Sequence, residues 1–511
     1  MRREHALVNP IDAAGRAVES VRALLRNDAA RALEAAQNAL VQHPAVAELH
    51  ALAGHAARVV NRPTLAESSL RRALELDPRL DEASASLAHH LRNQGRYEAA
   101  AQVMAGAARL GHDDALGLLA RIDFLRQCAR SDLALDACGS AAVACSMHAG
   151  LSYAEAELLL ASGRFDAARA ALLRTLTLDP EHAGALLRLS QSGRFESSTD
   201  PELAPLHAAL ANPATAPQSR VAAEFALGRI ADENSEFAVA VRHFERGNRA
   251  WRAAHPWDAA AFEDLVEQRV AWLAKRAPPA VTNGNALLLL GLPRSGTTLL
   301  ASQLGTHPQV RLRGELNWLA ALASQWRRRA ADAEVAIDLA ARYRAHLQRD
   351  DAPALWYIDK NPLNFRELDC ASLLAPGLRI VHCRRDLRDT ALSLWTQHFA
   401  HPDLGFAYGF GDIAQFAHGY RRIMRAAAGA ELPMIESRYE DLVRDPETER
   451  ARILAWLGLD PAERVDGIPS ADAARSASVY QVRQRITDAS IGRWRRYAEW
   501  LPELAARFEG G

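Results

Sequence analysis

The sequence predicts an α-helical repeat solenoid followed by an α/β domain with a parallel sheet. Two observations carry the first half. Pro44, Pro78 and Pro180 each close a helical run and lie 34 and 102 residues apart, one and three times a common period. Gly95-Arg96-Tyr97 and Gly163-Arg164-Phe165 lie 68 apart, twice that period. A third observation carries the second half: from residue 286 short apolar runs alternate with helical patterns, as parallel strands joined by crossovers require. At 511 residues the chain has room for more than one domain. The boundaries read as repeats over 10–275, a linker over 276–285 and the α/β domain over 286–508.

Each repeat has the same internal logic. A first helix, as at 81–92, carries small apolar residues on one face; Asn93-Gln94-Gly95 makes the turn. A second helix, as at 97–110, opens on an aromatic and places alanines where helices approach closely. These features resemble the tetratricopeptide repeat. The resemblance is good over 48–111 and 149–180 and poor over 112–148 and 183–218, where Pro201, Pro205, Pro213 and Pro217 interrupt the pattern. A last helix pair returns at 221–228 and 237–247. The resemblance implies a superhelix whose concave face takes a peptide or protein. A helical spacer that only displays or dimerises the second domain is the other reading, and both stay open.

In the second half the sequence predicts a strand at 286–291, a helix at 297–305, helical segments around 315–349, strands at 355–359 and 378–384, and a helix at 387–399. Ala286 to Leu290 is apolar without interruption, which suits a strand covered on both faces. Gly291, Pro293 and Gly296 then punctuate a tight loop, and Leu299, Leu300 and Leu304 mark the helix that follows. Strand, loop and helix N-terminus together form an anion cradle of unpaired N–H groups and positive dipole. Arg294 adds a guanidinium suited to phosphate or sulfate, and Ser295, Thr297 and Thr298 add hydroxyls. No lysine follows Gly296, so this is not the Walker A loop of an ordinary ATPase or kinase.

Ligands of such sheets sit at the carboxyl ends of the strands, so the residues just past each strand matter most. Arg385 ends one strand, Asp386 can cap the next helix, Ser393 lies two turns in, and Arg384 and Arg388 make the patch basic. Lys360 ends another strand. Glu315 lies one connection after the anion loop, where a carboxylate can serve as a general base. Each of these residues, taken alone, reads equally as a solvated surface charge.

Taken together they form a recognisable series. Pro-Arg-Ser-Gly-Thr-Thr at 293–298, Asp-Lys-Asn-Pro at 359–362, Arg385-Asp386 with Ser393, and Tyr-Glu-Asp-Leu-Val at 439–443 occur in one chain. This set resembles the sulfotransferase family that uses 3′-phosphoadenosine 5′-phosphosulfate (PAPS). Within the family it looks most like the protein-tyrosine sulfotransferase branch and bacterial proteins joining tetratricopeptide repeats to that domain. The resemblance spans about 284–497 and implies a P-loop-like sulfotransferase fold. It implies that Arg294, Ser295, Gly296, Thr297 and Thr298 hold the 5′-phosphosulfate, and that Arg385 and Ser393 hold the 3′-phosphate. Lys360 matches a sulfuryl-stabilising lysine and Tyr439 a tyrosine near the nucleotide. Ser478, in Ser-Val-Tyr-Gln-Val, matches a C-terminal serine of the site. Arg493, in Gly-Arg-Trp, stands where the family often has Lys or Arg before Trp. Glu315 matches the base position when counted without a gap from His307-Pro308, although Arg-Gly-Glu-Leu-Asn departs from the family's local pattern.

The remaining features bound the setting. A net charge of −1 gives no general pull towards nucleic acid or anionic membrane. No apolar run reaches the roughly 18 residues of a membrane span. The start, Met-Arg-Arg-Glu-His-Ala, lacks the apolar core of a secretory signal. Cys128, Cys138, Cys145, Cys370 and Cys383 are odd in number and lack metal-ligand spacing, which points to reduced thiols in a cytoplasm rather than a disulfide. No His or Asp cluster has magnesium-ligand spacing. The expectation is a cytoplasmic PAPS-dependent sulfotransferase without a metal. Its acceptor is a hydroxyl: a tyrosine of a peptide or protein bound by the repeats, a saccharide or a small metabolite. Two rivals stand beside it, a nucleotide-dependent P-loop kinase and a non-catalytic repeat scaffold with a degenerate transferase domain. Homo-oligomerisation leaves no readable pattern.

Overall fold

The computed structural model describes residues 10–107, 114–141, 146–275, 284–329, 332–399, 401–465 and 487–508. Packing divides the chain into two compact units, 1–142 with 349–351, and 143–348 with 352–511. Most of the expected linker, 276–285, lies outside the described residues.

The first unit is helical: α1 (Pro10–Leu25), α2 (Ala29–Gln42), α3 (Ala47–Val59), α4 (Pro63–Leu76), α5 (Asp81–Asn93), α6 (Tyr97–Gly106), α7 (Ala115–Gln127) and α8 (Ser131–Ser140). Its core is built from small side chains. Ala32, Ala36, Ala56 and Ala66 are fully buried beside Leu33 and Leu49, so the helices approach closely. A Cβ on Gly54 of α3 would fall 2.5 Å from Leu70 of α4.

In four successive pairs, though not in α1/α2, the turn holds one residue in the left-handed region. Asn61 (φ 57°), Gly95 (φ 80°), Ala129 (φ 63°) and Gly163 (φ 78°) supply it at a constant spacing of 34. The poor match over 112–148 therefore does not interrupt the repeat. Helices α7 and α8 keep its form, with Ala129 where a glycine was expected. Of the prolines of 183–218, Pro201 opens a 3-10 turn, Pro205 stands in the first turn of an α-helix and Pro217 opens another, while Pro213 lies in the turn between those two helices.

The second unit begins with α9 (Ala149–Ser162), α10 (Phe165–Leu178), α11 (Ala183–Leu189), α12 (Ala204–Ala211), α13 (Pro217–Glu233), α14 (Phe237–Ala254) and α15 (Ala259–Ala274). It continues into a five-stranded sheet: β1 (Ala286–Gly291), β2 (Val310–Leu312), β3 (Trp356–Asp359), β4 (Arg379–Arg384) and β5 (Met434–Arg438). The order is β2-β3-β1-β4-β5 and every pairing is parallel. Its further helices are α16 (Thr297–Leu304), α17 (Trp318–Arg328), α18 (Ala333–Gln348), α19 (Leu368–Leu374), α20 (Leu387–Trp395), α21 (Phe410–Gly429), α22 (Tyr439–Arg444), α23 (Pro446–Trp456) and α24 (Pro502–Arg507). Helix α20 stops at Trp395, short of the expected 399.

Strand β1 is buried on both faces, which explains its unbroken apolar run. Leu287 and Leu289 join Leu300 of α16 and Ile453 of α23 on one side. Leu288 and Leu290 join the larger core on the other, which holds Phe225, Phe244, Phe262 and Phe416. Helices α13–α15 thus belong to the core of the sheet domain. The Phe262 ring stacks on Phe416 of α21 at 4.6 Å, and Phe244 meets Trp395 of α20 at 5.8 Å. Asn248 Nδ2 donates to the Trp395 carbonyl at 2.9 Å. A Cβ on Gly419 would lie 2.7 Å from both Phe262 and Val266, so glycine permits the close crossing of α15 and α21.

Candidate functional site

A parallel sheet presents all its carboxyl ends at one rim. Here each strand hands one of the expected site residues to that rim. Across the sheet they run Glu315 after β2, Lys360 after β3, the Arg294 loop after β1, Arg385 after β4 and Tyr439 after β5.

The loop after β1 is tightly wound. Gly296 sits at φ 95° as the N-cap of α16, and Arg294 holds φ 74°, which costs an L-residue on the order of 1–2 kcal/mol. A Cβ on Gly296 would come 2.6 Å from the Tyr439 ring. Ser295, Thr297 and Thr298 are buried in or beside the first turn of α16, and Ser295 Oγ has no hydrogen-bond partner among the described residues.

The loops after β1 and β4 meet. Arg385 Nη1 donates to the Arg294 carbonyl at 3.1 Å and Nη2 to the Ser490 carbonyl at 2.8 Å. Its guanidinium carbon lies 4.4 Å from the centre of the Tyr439 ring. Arg294 Nε donates to Ser393 Oγ at 2.9 Å. Arg385 and Ser393 therefore converge through Arg294 rather than by bonding each other.

On the other flank, Lys360 is buried and needs a counter-charge. Its Nζ donates to Glu315 Oε1 at 2.7 Å and reaches Thr298 Oγ1 at 3.3 Å. Backbone bonds fix this corner: Lys360 N donates to the Gly314 carbonyl and Arg313 N to the Ile358 carbonyl, both at 2.9 Å. Asp359 behind it accepts from Tyr343 Oη at 2.7 Å. Burial pushes the Asp359 carboxyl up to about 6.

Arg493 is also at the site, held by an ion pair to Asp232 of α13, which Tyr497 Oη also contacts. Asp389 of α20 accepts from Gly492 N at 2.6 Å and Trp494 N at 2.9 Å. Glu440 accepts from Asp386 N at 2.9 Å. Sequence reasoning missed these three carboxylates. Asp389 could have been found from its place in Arg-Arg-Asp-Leu-Arg-Asp, but Asp232 lies 261 residues from Arg493 inside a repeat helix and carries no local signal. Ser478 lies outside the described residues.

Electrostatically the rim is cationic. Burial first, then the neighbouring Arg385, Arg493 and Arg229, push the Arg294 guanidinium down to about 10. Burial also lowers Arg385. Three arginines crowded at a helix N-terminus, with Ser295 Oγ and Arg385 Nε buried and without a hydrogen-bond partner among the described residues, fit a ligand carrying more than one anionic group. Away from the rim, Glu367, Asp369 and Cys370 approach one another closely enough to suggest a metal trio. Arg327 pairs with Glu367 at 2.7 Å and Asp369 at 2.6 Å, so the acids serve an ion-pair cluster.

No described helix is long and apolar enough to cross a membrane. A protein of Aquifex aeolicus (strain VF5), itself uncharacterized, is 24% identical over 392 residues, 71% of this chain and 51% of its own length. The chain thus spans about half the length of that curated relative. Among solved structures, the sulfotransferase domain of the Synechococcus PCC 7002 olefin synthase is similar with a TM-score of 0.30 and 20% identity, over 43% of this chain and 89% of that one. Pseudomonas aeruginosa pilF is similar with a TM-score of 0.30 and 19% identity, over 41% of this chain and 96% of that one. Residues 286–463 match the sulfotransferase family. The α/β part of this chain is thus similar to the sulfotransferase family over residues 286–463, and it follows helical repeats with a 34-residue period.

Proposed function

We propose that the chain transfers a sulfuryl group from PAPS to a hydroxyl, with a tyrosine of a polypeptide as the preferred acceptor. The observation that supports this most is the Arg385–Arg294 contact, by which two loops distant in sequence share one rim. A donor with a phosphate at each end of its ribose needs such a pair of loops. ATP, with no 3′-phosphate, does not.

PAPS supplies the activated sulfuryl group. The loop from Arg294 to Thr298 would hold the 5′-phosphosulfate, Arg385 and Ser393 the 3′-phosphate, and Tyr439 and Arg493 the nucleoside side. Sulfuryl transfer, like phosphoryl transfer, passes through a loose transition state, so positioning and fixed charge do most of the catalysis. Arg294, Lys360 and Ser478 would stabilise charge on the bridging and leaving oxygens. Glu315, whose side chain is 40% exposed, would take the acceptor proton. A phenol, with an ordinary pKa of about 10, yields that proton far more readily than an aliphatic alcohol.

The experiment is isothermal titration with PAP, the desulfated product, followed by transfer of labelled sulfate from PAPS to peptides, glycans and small alcohols. PAP should bind, and Arg385→Ala should weaken it by at least about tenfold. Lys360→Ala should slow transfer by about 10²–10³-fold. ATP binding tighter than PAP would replace this reading with a kinase. PAP binding without any labelled product would leave a scaffold.

A further inference from the structure

A cavity of about 660 Å³ lies on the β4–β5 flank, between the sheet edge and α21. Lys360 and Glu315 do not line it. Arg385 and Ser295 touch it from the rim side, but most of its wall lies below the rim, on the α21 face of β4 and β5.

Its charge is unbalanced in a specific way. Five arginines line it against three carboxylates, whose oxygens are engaged except for Glu440 Oε2, which is buried without a hydrogen-bond partner among the described residues. Asp386 caps α20 and pairs with Arg388 at 2.8 Å. Glu436 pairs with Arg384 at 3.0 Å, and His382 faces it at 3.5 Å. Glu440 accepts from Asp386 N, with Arg438 Nε 3.9 Å from its second oxygen. Arg421 and Arg425, one turn apart on α21, have no hydrogen-bond or ion-pair partner among the described residues. Arg384 and Arg425 add to burial in lowering the Arg421 guanidinium, so these cations crowd one another. Two hydroxyls at the wall are equally unsatisfied. Thr390, 1% exposed, and Ser295, 3% exposed, both have a buried oxygen with no partner among the described residues. Leu387, Met424 and Met434 give the same cavity an apolar side.

We propose that this cavity is a second anion site, separate from the rim, for a small sulfate or phosphate ester carrying an apolar body. The paired arginines of α21 bind the oxyanion, the Thr390 hydroxyl adds a donor, and the methionines take the apolar part. The volume suits a single small molecule. The proposal goes beyond the donor reading and does not depend on it.

The test titrates para-nitrophenyl sulfate, and separately para-nitrophenyl phosphate, into the full chain with PAP held at saturation. One site should remain available for at least one of the two esters. Arg421→Ala/Arg425→Ala should weaken that ester by about tenfold or more while leaving PAP affinity within about twofold. Thr390→Val, which keeps the shape of the side chain, should weaken it several-fold without changing tryptophan fluorescence. Displacement of both esters by PAP, unchanged binding in the variants, or a parallel loss of PAP binding in the double variant would overturn the proposal. If PAP does not bind the parent chain, the donor reading fails, and the ester titrations still decide the cavity.

Discussion

Helices α1–α8 and helices α13–α15 follow one architectural rule and meet different partners. In α1–α8 the buried faces are mostly alanine and leucine, with aromatics only at Tyr97 and Phe124 among the described residues, and in α1–α4 they close on neighbouring repeat helices. In α13–α15 the buried faces carry Phe225, Phe244 and Phe262, and they close on the helices that cover the sheet. A repeat helix is thus not committed to the solenoid by its period. The size of the side chains on its buried face decides what it packs against. The last helices are structural members of the sheet domain, and through Asp232 they also reach Arg493.

The largest consequence concerns stability. Phe262→Ala, within the repeat part of the sequence, should cost about 3–5 kcal/mol in the sheet domain. Leu91→Ala in α5, which is equally buried, should cost about 2–5 kcal/mol in the first unit only. The two are separable because all ten tryptophans, Trp251 to Trp500, lie in the second unit. Denaturation followed by tryptophan fluorescence should shift for Phe262→Ala and stay in place for Leu91→Ala. Far-UV circular dichroism should register both. Coincident shifts in fluorescence would break the contrast.

The two units should also respond to pH in opposite directions. In the first, burial works against the Glu67 carboxylate, but hydrogen bonds from Arg96 and Arg71 outweigh it and hold its pKa below the ordinary value. That contribution is present above the unfolded pKa and is lost as pH falls through the folded one. In the second, burial raises Asp359 to about 6. The folded state then holds a proton that the unfolded state releases. This contribution is full below about pH 4 and falls by about 3 kcal/mol as pH rises through about 6. Asp359→Asn should flatten that slope in the fluorescence-detected transition without altering the response of the first unit. A slope that persists in Asp359→Asn would assign it to another group.

A smaller effect tests the functional reach of α13. Asp232→Asn keeps the size of the side chain but removes the charge that holds Arg493. PAP affinity should fall by about tenfold, with the fluorescence-detected midpoint moving less than for Phe262→Ala. An unchanged affinity would confine Asp232 to a packing role.

The parts legible in sequence were those with a local cause. Strands β1, β3 and β4 are central and mostly buried, so each shows a short apolar run, unbroken in β1, closed by Asp359 in β3 and interrupted by His382 in β4, and the glycines of the anion loop stand in the open. Strand β2 has three residues with Arg311 in the middle, and β5 is an edge strand reading Met-Ile-Glu-Ser-Arg, so neither shows an apolar run. Within the site, the residues after strands could be named and Asp389 stands in a legible motif, but the pairings of Asp232 and Asp389 with the Arg493 segment could not be read. Their partners are remote in sequence and exist only once the chain has folded.

The same division between local and non-local cause runs through the repeat turns and yields the smallest prediction. Gly95 and Gly163 announce the left-handed turn, whereas Asn61 and Ala129 occupy it without announcing it. Surrounding helices therefore impose the conformation on Ala129, whose Cβ opposes it by about 1–2 kcal/mol. Glycine would remove that opposition but add freedom to the unfolded chain, worth about 0.4–1 kcal/mol in the other direction. Ala129→Gly should leave a net gain of up to about 1 kcal/mol in the first unit, seen by circular dichroism and absent from tryptophan fluorescence. Gly95→Ala should give a loss of similar size. If Ala129→Gly instead destabilises the unit, the left-handed turn is not what the 34-residue spacing preserves there, and the continuity of the repeat through 112–148 fails with it.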